Sequence, residues 1–138
     1  MSRNLILFII SMIPLFANSQ ESHKTLEKAL SVCRELDSYR ETYPCAQNVY
    51  ERSDKMLNIQ YKNLANYLQN EDKEKLKLAQ RNWLLFRDSD CNFSAPQPKS
   101  DDDFYNSNRS YCLAEKTLNR LKELEDYNFW KGCNGCPW

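Results

Sequence analysis

Six cysteines, a single histidine and a run of three aspartates are the residues whose chemistry needs explaining first. Cys133 and Cys136 form a Cys-x-x-Cys element inside "GCNGCPW" at the end of the chain. A redox pair of this spacing works at a helix start in a βαβ setting, where the helix end lowers one thiol's pKa. Here the pair lies between glycines with no βαβ pattern before it, so a structural clip or longer-range disulfides are favoured over thiol redox. His23 is the one histidine and stands alone near the expected mature start, so disulfides are strongly favoured over a zinc site for the cysteines, and no metal or cofactor is expected. A nucleophilic triad needs a histidine base, and His23, next to the expected mature start, has no nucleophile signature beside it, so histidine-based catalysis is not expected. Paired carboxylates could act on a glycosidic bond, but the acids mostly alternate with lysines, as solvated helix pairs do. Asp101, Asp102 and Asp103 lack the liganding rhythm of a calcium loop. They read as a solvated acidic loop and as the candidate contact for a protein partner. The chain is not expected to be an enzyme.

The ends of the sequence place these groups in a compartment. Arg3 precedes an apolar run of twelve, "LILFIISMIPLF", and Ala17 and Ser19 are small residues before a cut ahead of Gln20. That is the layout of a signal peptide over residues 1–19, with a run too short for a comfortable membrane span. The expected mature part, residues 20–138, is one domain, secreted or periplasmic, with no membrane span. Removing Arg3 from the 19 basic residues leaves 18 against 19 acids. So balanced a charge gives no support to nucleic-acid binding. Six cysteines behind an export signal form a disulfide framework. Of the connectivities open to six cysteines, sequence proximity favours Cys33 with Cys45, Cys91 with Cys112, and Cys133 with Cys136.

Helices must carry these groups. The two glycines of the chain, Gly132 and Gly135, both fall in the last seven residues, so tight β-turns are scarce. Leu26, Leu30, Cys33 and Leu36 recur at helical spacing over residues 22–39, with Ser22 or Thr25 as N-cap. After Pro44, residues 46–69 carry a stripe through Val49, Ser53, Leu57, Tyr61, Leu64 and Leu68. Residues 70–75 read as a turn, a third helix contains "AQRNWLLFRDSDC", residues 92–107 read as a loop, and residues 109–127 as a fourth helix. The expected fold is all-α, a small disulfide-clipped bundle of about four helices.

On a helical wheel centred on Leu76, Arg87 lies about 20° away, Gln80 about 40° and Trp83 about −20°. Two polar side chains thus occupy the middle of an apolar face. Burying them unpaired would cost ~1–3 kcal/mol each, more for the charge. Partners are expected on the second helix, where Asp54, Asn58 and Tyr61 share a flank: Arg87 with Asp54, and Gln80 with Asn58 or a backbone group. Leu78 and Leu85 fall on the opposite face, where an internal helix contact is favoured over a partner surface.

These residues carry a resemblance. Cys45 precedes Asp54, Leu57, Asn58 and Tyr61; Ala79, Gln80, Trp83, Phe86, Arg87, Asp88 and Cys91 follow; Cys112, Thr117, Arg120 and Leu124 complete the order. The pattern resembles the bacterial lysozyme inhibitor LprI-like family over roughly residues 33–124. The resemblance implies a small exported helical protein that blocks a lysozyme by protein–protein contact. The loop between Cys91 and Cys112 is acidic where relatives often carry glycines and small residues, and the tail after Leu124 lies outside the pattern. Two alternatives stand beside inhibition: a structural or partner-binding envelope protein using Leu78 and Leu85, and a redox protein using Cys133 and Cys136.

Overall fold

In a computed structural model, the structure describes residues 22–95 and 102–127. The expected leader at residues 1–19, Asp101, Cys133 and Cys136 therefore lie outside the described residues. Four helices follow in order: α1 (His23–Arg34), α2 (Tyr39–Tyr67), α3 (Asn70–Ser94) and α4 (Asp102–Asp126), with no strand among the described residues. The protein is all-α, as expected. None of these helices is long and apolar enough to cross a membrane.

Pairings along the helices set the topology. Ser110 bonds Gln47 and Leu124 bonds Gln60, a near-constant offset, so α2 and α4 run parallel as the central pair. His23 meets Glu125 while the Tyr111 hydroxyl donates to the Leu30 carbonyl, so α1 runs against α4. Cys91 joins Cys112 and Arg87 reaches Thr117, so α3 also runs against α4. The result is an up-down-up-down bundle with α1 and α3 flanking α2 and α4.

Both observed disulfides fasten the same end of this bundle. Cys33–Cys45 ties the last turn of α1 to the second turn of α2, and Cys91–Cys112 ties the end of α3 to α4. Two of the three pairs favoured by sequence proximity are therefore formed. Away from this end, Leu57, Leu64, Leu121 and Leu124 form an apolar cluster with Leu76, Tyr61, Trp83 and Tyr127 against it. A second cluster on the α1 side gathers Leu26, Leu30, Cys33, Ala46, Val49, Ala114 and Leu118.

Several boundaries differ from the sequence reading, each for a local reason. The first helix, capped by Ser22, stops at Arg34 rather than Tyr39. Residues 35–38 turn, and the chain restarts at Ser38, whose carbonyl accepts from Glu41 and Thr42 while its hydroxyl donates to Glu41. Pro44 lies inside α2 instead of before it. Proline there removes one backbone bond, and the adjoining disulfide at Cys45 and the buried Thr42 and Ala46 hold the turn in place. The expected turn at residues 70–75 is already α3, because Glu71 and Asp72 suit a first helical turn. The break between α2 and α3 is only Leu68 and Gln69.

The largest difference is the loop expected over residues 92–107. Helix α3 continues to Ser94, and α4 begins at Asp102. The first turns of α4 bury Ser107 and Ser110, hydroxyl side chains that leave no apolar period to read. Leu78 and Leu85 are 59% and 62% exposed on the outer face of α3, so the internal contact favoured for them is not made.

Candidate functional site: a buried arginine pair and the clipped end

Helix α3 presents Gln80, Arg87 and Cys91 as its buried residues, spaced seven and four apart along one face. Arg87, only 5% exposed, is hydrogen-bonded through both ends of its guanidinium. Its Nη1 donates to Asp54 at 3.0 Å and to the Thr117 hydroxyl at 3.3 Å, and its Nε donates to Asp88 at 2.9 Å. The guanidinium lies 5.4 Å from the Tyr50 ring and 5.2 Å from the Trp83 ring. Burial alone would weaken the arginine's charge, but the hydrogen bond to Asp88, the Tyr50 oxygen and the bond to Asp54 outweigh it and raise its pKa above the usual arginine value. In return burial, reinforced by Asp54 and Asp88 and opposed by Arg87, holds the Tyr50 hydroxyl above its usual pKa.

A second arginine, Arg120 of α4, completes the seam. It is 8% exposed, donates through Nε to the Gln80 oxygen at 3.1 Å and through Nη1 to Glu123 at 2.7 Å. Its guanidinium lies 5.8 Å from Trp83, so one indole ring meets two cations. Among the described residues, no buried side-chain nitrogen or oxygen lacks a partner. A fully satisfied polar seam rigidifies what it joins.

The sequence-predicted residues divide accordingly. Arg87 meets Asp54 as expected. Gln80 does not meet Asn58; it accepts from Arg120 instead. Asn58 is exposed and donates to the Asp54 carbonyl at 2.8 Å and to its carboxylate at 3.0 Å, steadying the acid that holds Arg87. Tyr61 packs half-buried on the far apolar cluster rather than in the network. Arg120, Thr117 and Tyr50 were not assigned to the network from sequence. The spacing of Leu113, Thr117, Arg120 and Leu124, four, three and four, is the signal that places Arg120 on the buried face of α4.

Asp102 and Asp103 do not lie in a loop; they form the first turn of α4, where a carboxylate meets the positive helix end. Asp103 sits 3.8 Å from Arg40 of α2, and beside them Tyr39 and Phe104 meet edge to face at 4.7 Å. The starts of α2 and α4 thus share one surface at the disulfide-clipped end. Among the described residues, no group of histidine, cysteine and acidic side chains could hold a metal ion.

No curated protein and no solved structure matches this chain significantly. The sequence model of one family, described as lysozyme inhibitor LprI, matches residues 33–124. That span runs from the first disulfide to the last leucine of the far cluster and takes in both buried arginines. The chain belongs to the lysozyme inhibitor LprI family.

Proposed function

We propose that this protein is an exported inhibitor that blocks a lysozyme by protein–protein contact, acting in the periplasm or outside the cell. The observation that carries the reading is the family match over residues 33–124. The two disulfides fit an extracytoplasmic setting, and the signal-peptide layout of residues 1–19 agrees with export. The contact is assigned to the surface where α2 and α4 begin. Cys33–Cys45 and Cys91–Cys112 make that end rigid, and rigid presentation lowers the entropy lost on binding. Asp102 and Asp103, with Asp101 before them in the sequence, offer carboxylates to a basic rim on the enzyme. Charge complementarity of this kind raises association rate and selects partners. The buried arginine seam serves as scaffold in this reading.

The test is lysozyme turnover of cell-wall substrate with micromolar purified protein, alongside an Asp102→Asn/Asp103→Asn variant. Inhibition that weakens in the variant, chiefly through slower association at low salt, supports the assignment. Unaltered enzyme activity with the wild-type protein would refute inhibition of that lysozyme. A second reading rests on Leu78 and Leu85, exposed seven residues apart on α3: an envelope protein that binds a partner without inhibiting an enzyme. A pull-down from envelope extract, compared with a Leu78→Ser/Leu85→Ser variant, separates the two.

A further inference from the structure

The clipped end holds a groove of about 490 Å³, open to solvent, between the α1–α2 turn and the second turn of α4. Its floor contains Ser107, a residue only 2% exposed. Beside it Asn108 commits its amide nitrogen to the Phe104 carbonyl at 2.8 Å, which leaves its side-chain oxygen as an acceptor. Asp37, on the turn that forms the opposite wall, has no hydrogen bond or ion pair among the described residues. The half-exposed Tyr39 ring stands at the rim.

We propose that this groove receives one arginine side chain of the target enzyme. The proposal rests on the inhibitor reading for its partner, but its chemistry stands on the groove itself. A guanidinium is planar, presents up to five donors and stacks on aromatic faces. The groove answers each property with the Asp37 carboxylate, the Ser107 and Asn108 oxygens and the Tyr39 ring. The cation already present, Arg34, is engaged with Glu115 at 3.5 Å and lies 5.2 Å over the Tyr111 ring, so its charge is met. Glu41 in the first turn of α2 likewise offsets the positive helix end beside the groove. Asp37 is the remaining uncompensated charge, and it selects a cation over a carboxylate.

Two measurements test this on the full protein. The first is an NMR titration with N-acetyl-arginine amide, with N-acetyl-glutamine amide and N-acetyl-glutamate amide as comparisons. The expected result is saturable shifts at Asp37, Ser107 and Asn108 for the arginine compound alone, abolished by Asp37→Asn. Equal shifts with the neutral or acidic compound, or none at these residues, overturn the proposal. The second is lysozyme inhibition by Asp37→Asn, a change on an exposed turn that leaves the melting temperature unaltered. Loss of one charge-assisted contact weakens inhibition about ten-fold. Wild-type protein that binds the arginine compound but inhibits no lysozyme overturns the inhibitor reading and leaves the groove assignment standing. Inhibition that Asp37→Asn leaves undiminished overturns the groove as an enzyme contact.

Discussion

Helices α1 and α3 flank the same central pair, and each is tied near its C-terminal end by one disulfide, yet opposite chemistry holds them. The 12 residues of α1 bury Leu26, Leu30 and Cys33. The 25 residues of α3 bury Gln80, Arg87 and Cys91. Apolar burial is non-directional, so α1 is held mainly by area, with the Tyr111–Leu30 bond and the His23–Glu125 contact as its polar attachments to α4. The α3 seam is directional: a slip of one turn, about 5.4 Å, would carry Arg87 away from Asp54 and Thr117 together. Short helix and long helix thus obtain, respectively, adhesion and register. The long helix can leave its outer face free of core duties, and Leu78 and Leu85 stand exposed there.

The largest expected effect comes from leaving Arg87 buried with an incomplete set of partners. Asp54→Ala costs about 3 kcal/mol, the lower end of the range for breaking a buried pair, because Asp88 and Thr117 remain. Arg87→Met, which removes the charge as well as the bond, costs clearly less. Urea denaturation measures both. Equal losses would mean that α3 is held by packing like α1, and the contrast between the helices would disappear.

On the other side, Leu26→Ala also costs about 3 kcal/mol, within the span for buried leucines. The two seams have Tyr50 in common, which packs against the α1 cluster and lies 5.4 Å from the Arg87 guanidinium, so Leu26→Ala and Asp54→Ala should add apart from a coupling through that ring of ~0.5 kcal/mol. A coupling well above that would show one cooperative core instead of two independent attachments.

The disulfides come next. With separations of 12 and 21 residues, chain entropy assigns each about 3 kcal/mol. Equal loop terms make the local response informative. Replacing Cys91 and Cys112 by serine should raise amide exchange through the last two turns of α3, where little apolar area grips. Replacing Cys33 and Cys45 should disturb α1 less, because Leu26 and Leu30 remain. Exchange mapped by mass spectrometry checks this, and a larger response in α1 would reverse the comparison. Asn58→Ala, which removes an exposed brace from Asp54, costs about 0.5 kcal/mol.

The two seams differed in how far they could be read from sequence. The α1 seam is apolar at helical spacing and was legible at once. So was the central position of Arg87 in α3, because a charge in the middle of an apolar stripe demands a partner, and Asp54 was the carboxylate in reach. Gln80 is the exception: its wheel angle gives a direction but not a partner, and the donor it meets is Arg120 of α4 rather than Asn58 of α2. The start of α4 was missed because Ser107 and Ser110 bury hydroxyls, and a hydrophobic period cannot register them. The groove was invisible for the same reason. It depends on Asp37 and Ser107, seventy residues apart, each unremarkable in its own segment.

The smallest effect concerns alkaline pH, and it too divides between the seams. Tyr50 lies against the arginine seam, whereas the Tyr111 hydroxyl closes the α1 side by donating to Leu30 at 2.6 Å. Burial lifts the pKa of both above the usual tyrosine value, with Arg34 opposing it at Tyr111 as Arg87 does at Tyr50. A folded-state pKa above the unfolded one favours the neutral form in the fold. The resulting stability is fully present below about pH 10 and is lost as pH rises through the folded value. Melting temperatures should therefore fall above about pH 10, and Tyr50→Phe and Tyr111→Phe should each flatten part of the fall. Tyr111→Phe should also lower the melting temperature at pH 7, since it removes a hydrogen bond to α1. A Tyr50→Phe protein with an unaltered alkaline profile would show that the arginine seam keeps that ring open to hydroxide while holding its register.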